Sequence, residues 1–303
     1  MATGGFRDTG SPRVDAQTDY TRARRRRALD RLGARLRREP RDFDLILPFE
    51  EVVHALGRRG ERHVGLESIG LDSIVGSVGR ERDFDRGFRP TSGRTRGRWE
   101  RIAQAARRGE SFPPIDVYRI GEVHFVKDGH HRVSVARAQG LDTIDAYVTE
   151  VLTEVGADRK ITLDDLPLKS HERLFFERVP LPRPARGRIS LRDEWRYAGL
   201  AEGVEAWGYR AEQDRGEQLS REEVAQAWFD EEYLPVVEML KEAGLVRDGE
   251  ETLAYMRVAT LRYLILRTHT WDDAVIERIR EELDRDTMDS DTMVHRIRRE
   301  MRK

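Results

Sequence analysis

Hydrophobic and polar residues alternate in two short runs in the middle of the chain, at positions 115–120 and 123–126. Alternation with a period of two predicts β-strands. Gly121-Glu122 separates the two runs, and glycine at the first position of a two-residue loop suits a type II′ hairpin. A third strand-like run covers positions 143–148. The pattern therefore predicts a hairpin and, after an interval, a third strand.

The interval before the third strand is predicted to hold a tight turn and a helix. Residues 132–139 contain neither glycine nor proline and are rich in alanine, and Gly140 follows where a helix would end. Residues 127–131 would form the turn that leads into this helix. Strand, turn, helix and strand in this order indicate an α/β fold with a small mixed sheet.

Apolar positions elsewhere recur mainly with helical spacing. Residues 48–57 and 98–108 each predict a short helix with one apolar face. Towards the C-terminus the spacing stays helical, so we expect an all-helical domain over residues 189–303. Residues 161–188 are predicted to form a proline-rich linker, which joins this domain to the α/β domain over residues 43–160. Within the linker we expect a helical turn at 171–176 and an extended segment at 180–188.

Capping sequences indicate where helices of the C-terminal domain begin. Ser190, Ser220 and Thr270 are each followed three residues later by an acidic residue, which is typical of a helix start. The aromatic residues of this region are interpreted as core. They are Trp195, Trp207, Trp228, Phe229, Tyr233 and Trp271. A last helix would be lined by Ile276, Ile279 and Leu283, and the charged residues 284–303 would form a fraying helix.

The first 42 residues are predicted to form a basic arm. They begin with small, polar and turn-forming residues, which predicts disorder up to about Asp19. Leu29, Leu32 and Leu36 then lie three and four apart, so a helix would place them on one face. Two interpretations are open: an arm that contacts nucleic-acid phosphates, or a solvated helix that docks through its leucines. The arginines assigned to the DNA backbone are Arg24, Arg25, Arg26, Arg27, Arg31 and Arg35.

Composition narrows the class of protein. The chain has 303 residues, 37% of them charged and 38% hydrophobic, and it has no apolar run long enough to span a bilayer. The polar N-terminus shows no secretory signal, so we expect a cytoplasmic protein without a membrane partner. The absence of cysteine excludes disulfides and cysteine-based zinc sites. Because the net charge is only −1, arguments about partners must depend on local clusters.

The turn before the predicted helix carries the clearest candidate chemistry. The first turn of a helix has unpaired N–H groups and the positive end of the helix dipole, which together favour an anion. Gly129 would allow close approach of a ligand, and Arg132 has a fork of donors that matches phosphate oxygens. The predicted phosphate-binding residues are Lys127, Asp128, Gly129, His130, His131 and Arg132. The alternative is that Arg132 pairs with Asp128 or Glu122, and that the histidines are structural.

Part of this sequence resembles a known superfamily. Gly129, His130, Arg132, Ala136 and Gly140 fall on the Gly-Glu/His-Arg-Arg box of the ParB partition proteins, which continues with Ala and Gly. Residues 114–117 resemble the Pro-Ile-x-Val strand before the box, and residues 66–74 resemble the opening strand and turn. The segment 65–151 is thus similar to the N-terminal domain of bacterial ParB proteins. That domain shares a superfamily with sulfiredoxin and the free serine kinases.

The resemblance implies a bound nucleotide. In ParB the box grips the phosphates of CTP, and Gly129, His130 and Arg132 inherit that role by match. His131 stands where ParB has arginine, and 128–132 is also similar to the Asp-Gly-His-Thr-Arg of the free serine kinases. We therefore expect CTP or ATP as the cofactor, with Mg²⁺ arriving with the nucleotide rather than at a dedicated protein metal site. Sulfiredoxin chemistry is excluded because the chain has no cysteine.

Three functions remain open at this point. The first is a ParB-like nucleotide-binding protein, associated with DNA and able to form a homodimer. The second is an enzyme, a phosphotransferase or a nuclease, in which His130 or His131 would act as acid or base and Glu122 or Asp128 would be further catalytic candidates. The third is a regulatory scaffold with a vestigial pocket.

Overall fold

A computed structural model describes residues 9–37, 44–262 and Glu277. It divides the chain into two compact units, residues 1–173 and 174–303. The protein is of the mixed α/β class, with a six-stranded sheet in the first unit. The predicted α/β class is therefore confirmed. The helix start predicted at Thr270, the last helix and the charged segment 284–303 lie outside the described residues.

The sheet has parallel and antiparallel pairs. Its strands are β1 Leu47–Pro48, β2 Arg58–Gly70, β3 Ile74–Ser77, β4 Ile115–Ile120, β5 Val123–Asp128 and β6 Thr143–Thr153. They lie in the order β1-β3-β5-β4-β6-β2. The pairs β1–β3, β3–β5 and β4–β6 are parallel, whereas β4–β5 and β2–β6 are antiparallel. This arrangement places β5 inside the sheet, with its C-terminal end at the predicted phosphate-binding turn.

The predicted hairpin and its flanking helices are confirmed. Ile120 pairs with Val123, so Gly121-Glu122 is the two-residue loop, and Gly121 has a φ of 56°. The helices of this region are α2 Phe49–Leu56, α3 Arg96–Arg107 and α4 His130–Ala138. Each agrees with its predicted range to within two residues.

Strand β2 was not predicted at its full length. It begins at Arg58, well before the predicted opening strand, and it pairs with β6 along that length. Its first half is charged and lacks the alternation of a half-buried strand. Ion pairs with the neighbouring strand β6 stabilise this charged half of β2, such as the pair between Arg62 and Glu150. Charged residues are typical of an edge strand, where they discourage pairing with other chains.

The helix predicted for the N-terminal arm is confirmed, whereas the disorder predicted up to about Asp19 is wrong. Helix α1, Pro12–Leu36, begins before Asp19, and Ala16, Tyr20 and Ala23 on one of its faces are buried. The Tyr20 ring lies edge-on to Trp99 of α3 with 5.5 Å between ring centroids, and the Tyr20 hydroxyl donates to the Ser92 carbonyl at 2.7 Å. The segment is therefore an integral helix of the first unit.

The face by which α1 docks also differs from the prediction. Leu29, Leu32 and Leu36 are 67%, 55% and 79% exposed. The docked face instead carries Ala16, Ala23 and Ala34, whose small side chains allow the helix to approach closely. The leucine spacing was helical, but spacing alone cannot say which face meets the body.

The second unit, in its described part, contains helices. After α5, Leu166–Arg178, which crosses the boundary between the units, come α6 Arg183–Arg186, α7 Arg196–Arg215, α8 Arg221–Ala227, α9 Leu234–Glu242 and α10 Glu251–Leu261. A π-helical segment, Trp228–Tyr233, joins α8 to α9. The helical turn predicted at 171–176 is confirmed within α5, whereas the extended conformation predicted for 180–188 is wrong because α6 lies there. Pro167 and Pro184 lie within the first two positions of these helices, where proline is tolerated.

Of the six aromatic residues predicted as core of the second unit, Trp228, Phe229 and Tyr233 are buried. Trp207 is half-buried, and Trp271 lies outside the described residues. Trp228 is fully buried and donates its indole N–H to the Tyr255 hydroxyl at 3.0 Å. Ser220 forms the predicted capping box with Glu223. Trp195, however, is 73% exposed, so its assignment to the core is wrong. Within the described ranges, no helix combines the length and apolar character needed to cross a bilayer.

Candidate phosphate-binding site

The turn between β5 and α4 depends on a glycine. Gly129 has a φ of 100°, a conformation that side chains with a Cβ rarely adopt. A Cβ at this position would also lie 2.4 Å from Cγ2 of Ile115 in β4. Only glycine therefore allows the chain to leave the sheet here and to start α4 at His130.

The N-terminus of α4 has no side-chain cap. The first helical hydrogen bond is the one from the Val133 N–H to the Gly129 carbonyl, at 3.1 Å. The N–H groups of the first turn precede this bond and have no acceptor within the helix. The α4 N-terminus thus offers backbone donors and the positive end of a helix dipole, as the sequence predicted.

A small polar cleft lies against this N-terminus. Its volume is about 110 Å³, and its lining combines the end of β5, the start of α4, the loop after β3 and the first turns of α3. The lining residues are Val78, Arg80, Phe84, Arg98, Ile102 and the six residues 127–132. Four of these side chains are cationic, and one, Asp128, is a carboxylate. The cleft therefore attracts anions.

Arg98 lines the cleft, although it was not among the residues predicted from the sequence. It lies in the first turn of α3, which contains no acidic residue. A cation in this position is unfavourable, since the dipole of α3 makes its N-terminus positive. Local preferences that are violated in this way often mark functional positions. A cationic residue in the first turn of a predicted helix was therefore the sequence feature that could have identified Arg98.

Arg132 is held by the protein itself. Its Nη1 donates to the carbonyls of Pro113 and Pro114 at 2.7 and 2.5 Å, and its Nη2 contacts Asp128 Oδ2 at 2.5 Å. The pairing of Arg132 with Asp128 was the alternative to phosphate binding that the sequence left open, and this pairing is present. Arg132 therefore secures the turn to the segment before β4, while Arg80, Arg98 and Lys127 are the other cations of the cleft.

His130 is a buried, neutral residue at the floor of the cleft. Its Nε2 lies 2.8 Å from the Ser77 hydroxyl, and its ring stacks on Phe84 and Phe88 with centroid separations of 6.2 and 6.3 Å. Burial, helped by the positive charge of Arg80, lowers the pKa of His130 to about 4. At neutral pH the imidazole offers a hydrogen bond but no charge.

His131 is also neutral near pH 7. Burial, together with the positive charges of Arg98 and Arg80, lowers its pKa to about 4. The ring meets Phe84 edge-on with centroids 5.2 Å apart. Its Nδ1 is buried and has no hydrogen-bond partner among the described residues. A residue that lines the cleft thus carries an unused polar atom.

Glu122 does not belong to this site. It lies in the β4–β5 loop, at the opposite end of β5 from Asp128, and six residues of extended strand span about 20 Å. Its nearest ionic partner is Arg159, at 3.8 Å. The prediction of Glu122 as a catalytic base near the turn is therefore wrong. Proximity in sequence suggested it, but a strand carries its two ends apart.

Lys127 and Asp128 lie where they were predicted. Lys127 Nζ is 5.2 Å from the centre of the Tyr118 ring, and it remains exposed at the edge of the cleft. The Asp128 side chain is 61% exposed, and its partner is Arg132. Both residues thus contribute to the cleft, although the Asp128 carboxylate is already neutralised.

The arginines of α1 fall into two groups. Arg27 contacts Asp85 at 3.4 Å, and Arg31 contacts Asp44 at 3.2 Å, so these two cations stabilise the docking of α1. The other arginines predicted to contact DNA are exposed. They are Arg24, Arg25, Arg26 and Arg35. The predicted basic surface is therefore smaller than the sequence suggested.

His124, a further histidine of β5, is separated from the cleft. Its Nδ1 lies 2.8 Å from the Ser73 hydroxyl, and burial lowers its pKa to about 4. In the described part of the chain, no three histidine, aspartate or glutamate side chains are grouped to share a metal ion. No protein-family model matches the chain, and no curated protein sequence matches it.

Proposed function

We propose that this chain is a ParB-like protein that binds the phosphates of CTP or ATP at the Gly129–Arg132 turn and associates with DNA. The proposal includes a ParB/sulfiredoxin-like first domain and a separate helical domain. One observation carries the nucleotide part. The uncapped N-terminus of α4 lies at a cleft that is also lined by the cations Arg80, Arg98 and Lys127, of which Arg98 comes from the first turn of α3. The positive charges of these groups repel one another unless an anion is bound between them.

The size of the cleft supports recognition of phosphate rather than of a whole nucleotide. Its volume of about 110 Å³ is well below the ~300–1,000 Å³ of typical small-molecule pockets. One phosphoryl group would lie in the cleft, and the rest of the nucleotide would extend beyond it. Mg²⁺ would arrive with the nucleotide, coordinated mainly by phosphate oxygens and water.

Binding is favoured over catalysis because the cleft has no strong base in the described structure. With pKa values lowered to about 4, His130 and His131 are weak proton acceptors. Asp128 is paired with Arg132. A phosphotransferase needs a base beside the acceptor hydroxyl, and none of the candidates predicted from the sequence is suited to that role.

The exposed arginines of α1 support the DNA part of the proposal. Arg24, Arg25, Arg26 and Arg35 have their guanidinium groups available for phosphate contacts. Nucleotide binding in the first unit would then regulate a DNA-bound, cytoplasmic protein, and a homodimer is part of this proposal.

Isothermal titration calorimetry of the full chain tests the nucleotide part. CTP, ATP and GTP, each with Mg²⁺, are titrated into the wild type, Arg98→Ala and Arg94→Ala. We expect CTP or ATP to bind, and Arg98→Ala to weaken binding at least roughly tenfold because it removes a charge-assisted contact. Arg94 is a matched control, since it is an exposed arginine just before α3 that does not line the cleft. Absence of binding by the folded wild type would refute the proposal.

Salt dependence tests the DNA part. Each phosphate contact contributes about 0.9 to the slope of log K against log salt concentration. We expect Arg25→Ala to lower this slope by about that amount and Arg94→Ala to leave it unchanged. Substitution is preferable to deletion of residues 1–42, because removing α1 would expose Trp99. Binding that is insensitive to salt would rule out the α1 surface.

A further inference from the structure

Two serine–histidine pairs each include one residue of the sheet, Ser77 of β3 or His124 of β5, and they use their hydroxyl groups differently. Ser77 Oγ lies 2.8 Å from His130 Nε2, and Ser73 Oγ lies 2.8 Å from His124 Nδ1. Both serines are buried. Because each hydroxyl has one proton to donate, its other partner decides which tautomer the histidine adopts.

The Ser77 hydroxyl must donate to His130. Its oxygen accepts the backbone N–H of Arg80 at 3.2 Å, and its own proton still needs an acceptor. Among the described residues, His130 Nε2 is the acceptor within reach of that proton. Nε2 must then be unprotonated, and the neutral ring carries its proton on Nδ1.

The Ser73 hydroxyl accepts a hydrogen bond from its histidine instead of donating one. It donates to the Gly70 carbonyl at 2.6 Å, so towards His124 it can only accept. His124 donates from Nδ1, and this bond occupies the proton of the ring. In the Ser77–His130 pair, by contrast, the Ser77 hydroxyl donates to the lone pair of His130 Nε2. The Nδ1–H group of His130 therefore remains able to donate to another acceptor.

The remaining donor of His130 lies in the right place for a ligand. His130 is 7% exposed, and what is exposed lines the cleft at the α4 N-terminus. Stacking on Phe84 and Phe88 fixes the plane of the ring. A donor that the protein leaves unused at the wall of the cleft is available to an anion bound there.

We infer that Ser77 is a positioning residue, which holds neutral His130 as the Nδ1–H tautomer so that the ring donates a hydrogen bond to a phosphoryl oxygen in the cleft. This inference depends on the proposed function for its ligand. It adds that the anion binds without proton uptake by His130, because Nε2 is already occupied by the Ser77 hydroxyl. A neutral histidine at the first position of α4 also avoids the repulsion that a cationic side chain would add there.

Nitrogen NMR of the histidine side chains tests the inference in the full chain. With ¹⁵N-labelled histidine at pH 7, we expect the wild type to show His130 protonated on Nδ1 and unprotonated on Nε2. Ser77→Ala removes the donor, so the Nδ1–H tautomer should lose its preference. Ser73→Ala is the matched control, since it removes the other serine and should leave the His130 signals unchanged. An Nε2–H ring in the wild type overturns the inference, as does an unchanged tautomer in Ser77→Ala.

Titration with inorganic phosphate tests the role of the donor. We expect Ser77→Ala to weaken phosphate binding roughly tenfold and Ser73→Ala to change it less than twofold. Equal affinities for the wild type and Ser77→Ala would overturn the inference. An Nδ1–H ring in a wild type that binds no phosphate would overturn the proposed function while the tautomer assignment stands. If Ser77→Ala does not fold, the wild-type tautomer alone decides the assignment.

Discussion

Gly129 determines the geometry of the whole cleft, because it allows β5 to turn directly into α4. Its φ of 100° and the 2.4 Å that would separate an added Cβ from Ile115 are two independent reasons for glycine. The backbone donors of the first α4 turn depend on that geometry. A side chain here would disturb the fold and the site together.

Gly129→Ala should therefore destabilise the protein strongly. Backbone strain costs roughly 1–3 kcal/mol and overpacking against Ile115 costs a further ~1–3 kcal/mol. Gly140→Ala is the matched control, since Gly140 has a φ of 74° but open space around an added Cβ, and it should cost only about 1–2 kcal/mol. Urea unfolding measures both. Equal losses would show that contact with Ile115 is unimportant.

Three histidines should make stability depend on pH. The folded-state pKa values of His124, His130 and His131 are lowered to about 4, below the ordinary value of 6.5. The unfolded chain therefore binds more protons, so the stabilisation is complete above pH 6.5 and is lost as the pH falls through 4. Between pH 7 and pH 5, each should reduce the free energy of unfolding by roughly 1–2 kcal/mol.

Urea unfolding at the two pH values tests this dependence. His124→Gln should flatten the change by about the contribution of one histidine, whatever its effect at pH 7. His63→Gln, at an exposed position of β2, should leave the change as in the wild type. A wild type that is equally stable at pH 7 and pH 5 would contradict the lowered pKa values.

The sequence predicted the local part of the site and missed the distant part. Residues 127–132 could be placed on a turn because their strand, glycine and helix are consecutive. Arg98 reaches the same cleft from α3, and Ser77 contacts His130 from β3, so no local pattern reveals either residue. The partner of Arg132 could be guessed from spacing, but its bonds to Pro113 and Pro114 depend on the tertiary fold.

Helix α1 shows what a helical period can and cannot predict. The helical period correctly predicted a helix, but the leucines predicted to form its apolar face are exposed. Alanines and Tyr20 form the docked face instead, because Trp99 fills the space that larger side chains would need. Ion pairs of Arg27 and Arg31 with buried aspartates add to the docking.

Substitutions on the two faces of α1 should separate these roles. Tyr20→Ala should cost roughly 3–5 kcal/mol, since it removes a buried ring and its bond to the Ser92 carbonyl. Leu29→Ala, on the exposed face of the same helix, should change stability by no more than about 0.5 kcal/mol. The measurement is urea unfolding of the full chain. A larger loss for Leu29→Ala would mean that the leucine face is the docked one.

The charge of the whole molecule hides the character of the site. A net charge of −1 gives no hint of an anion-binding protein, yet four of the five ionised side chains of the cleft are cationic. Acidic residues elsewhere balance them. Affinity for phosphates should therefore come from a local field, strengthened by the α4 N-terminus, and should weaken with ionic strength.

Amide chemical shifts recorded during a titration with CTP and with ATP test the central claim most directly. The full chain, ¹⁵N-labelled, should show its largest shifts at the N–H groups of His130, His131 and Arg132, with smaller shifts around Arg80 and Arg98. These are the groups that would meet the phosphates. Shifts centred elsewhere in the chain, or none with either nucleotide, would contradict a phosphate-binding turn between β5 and α4.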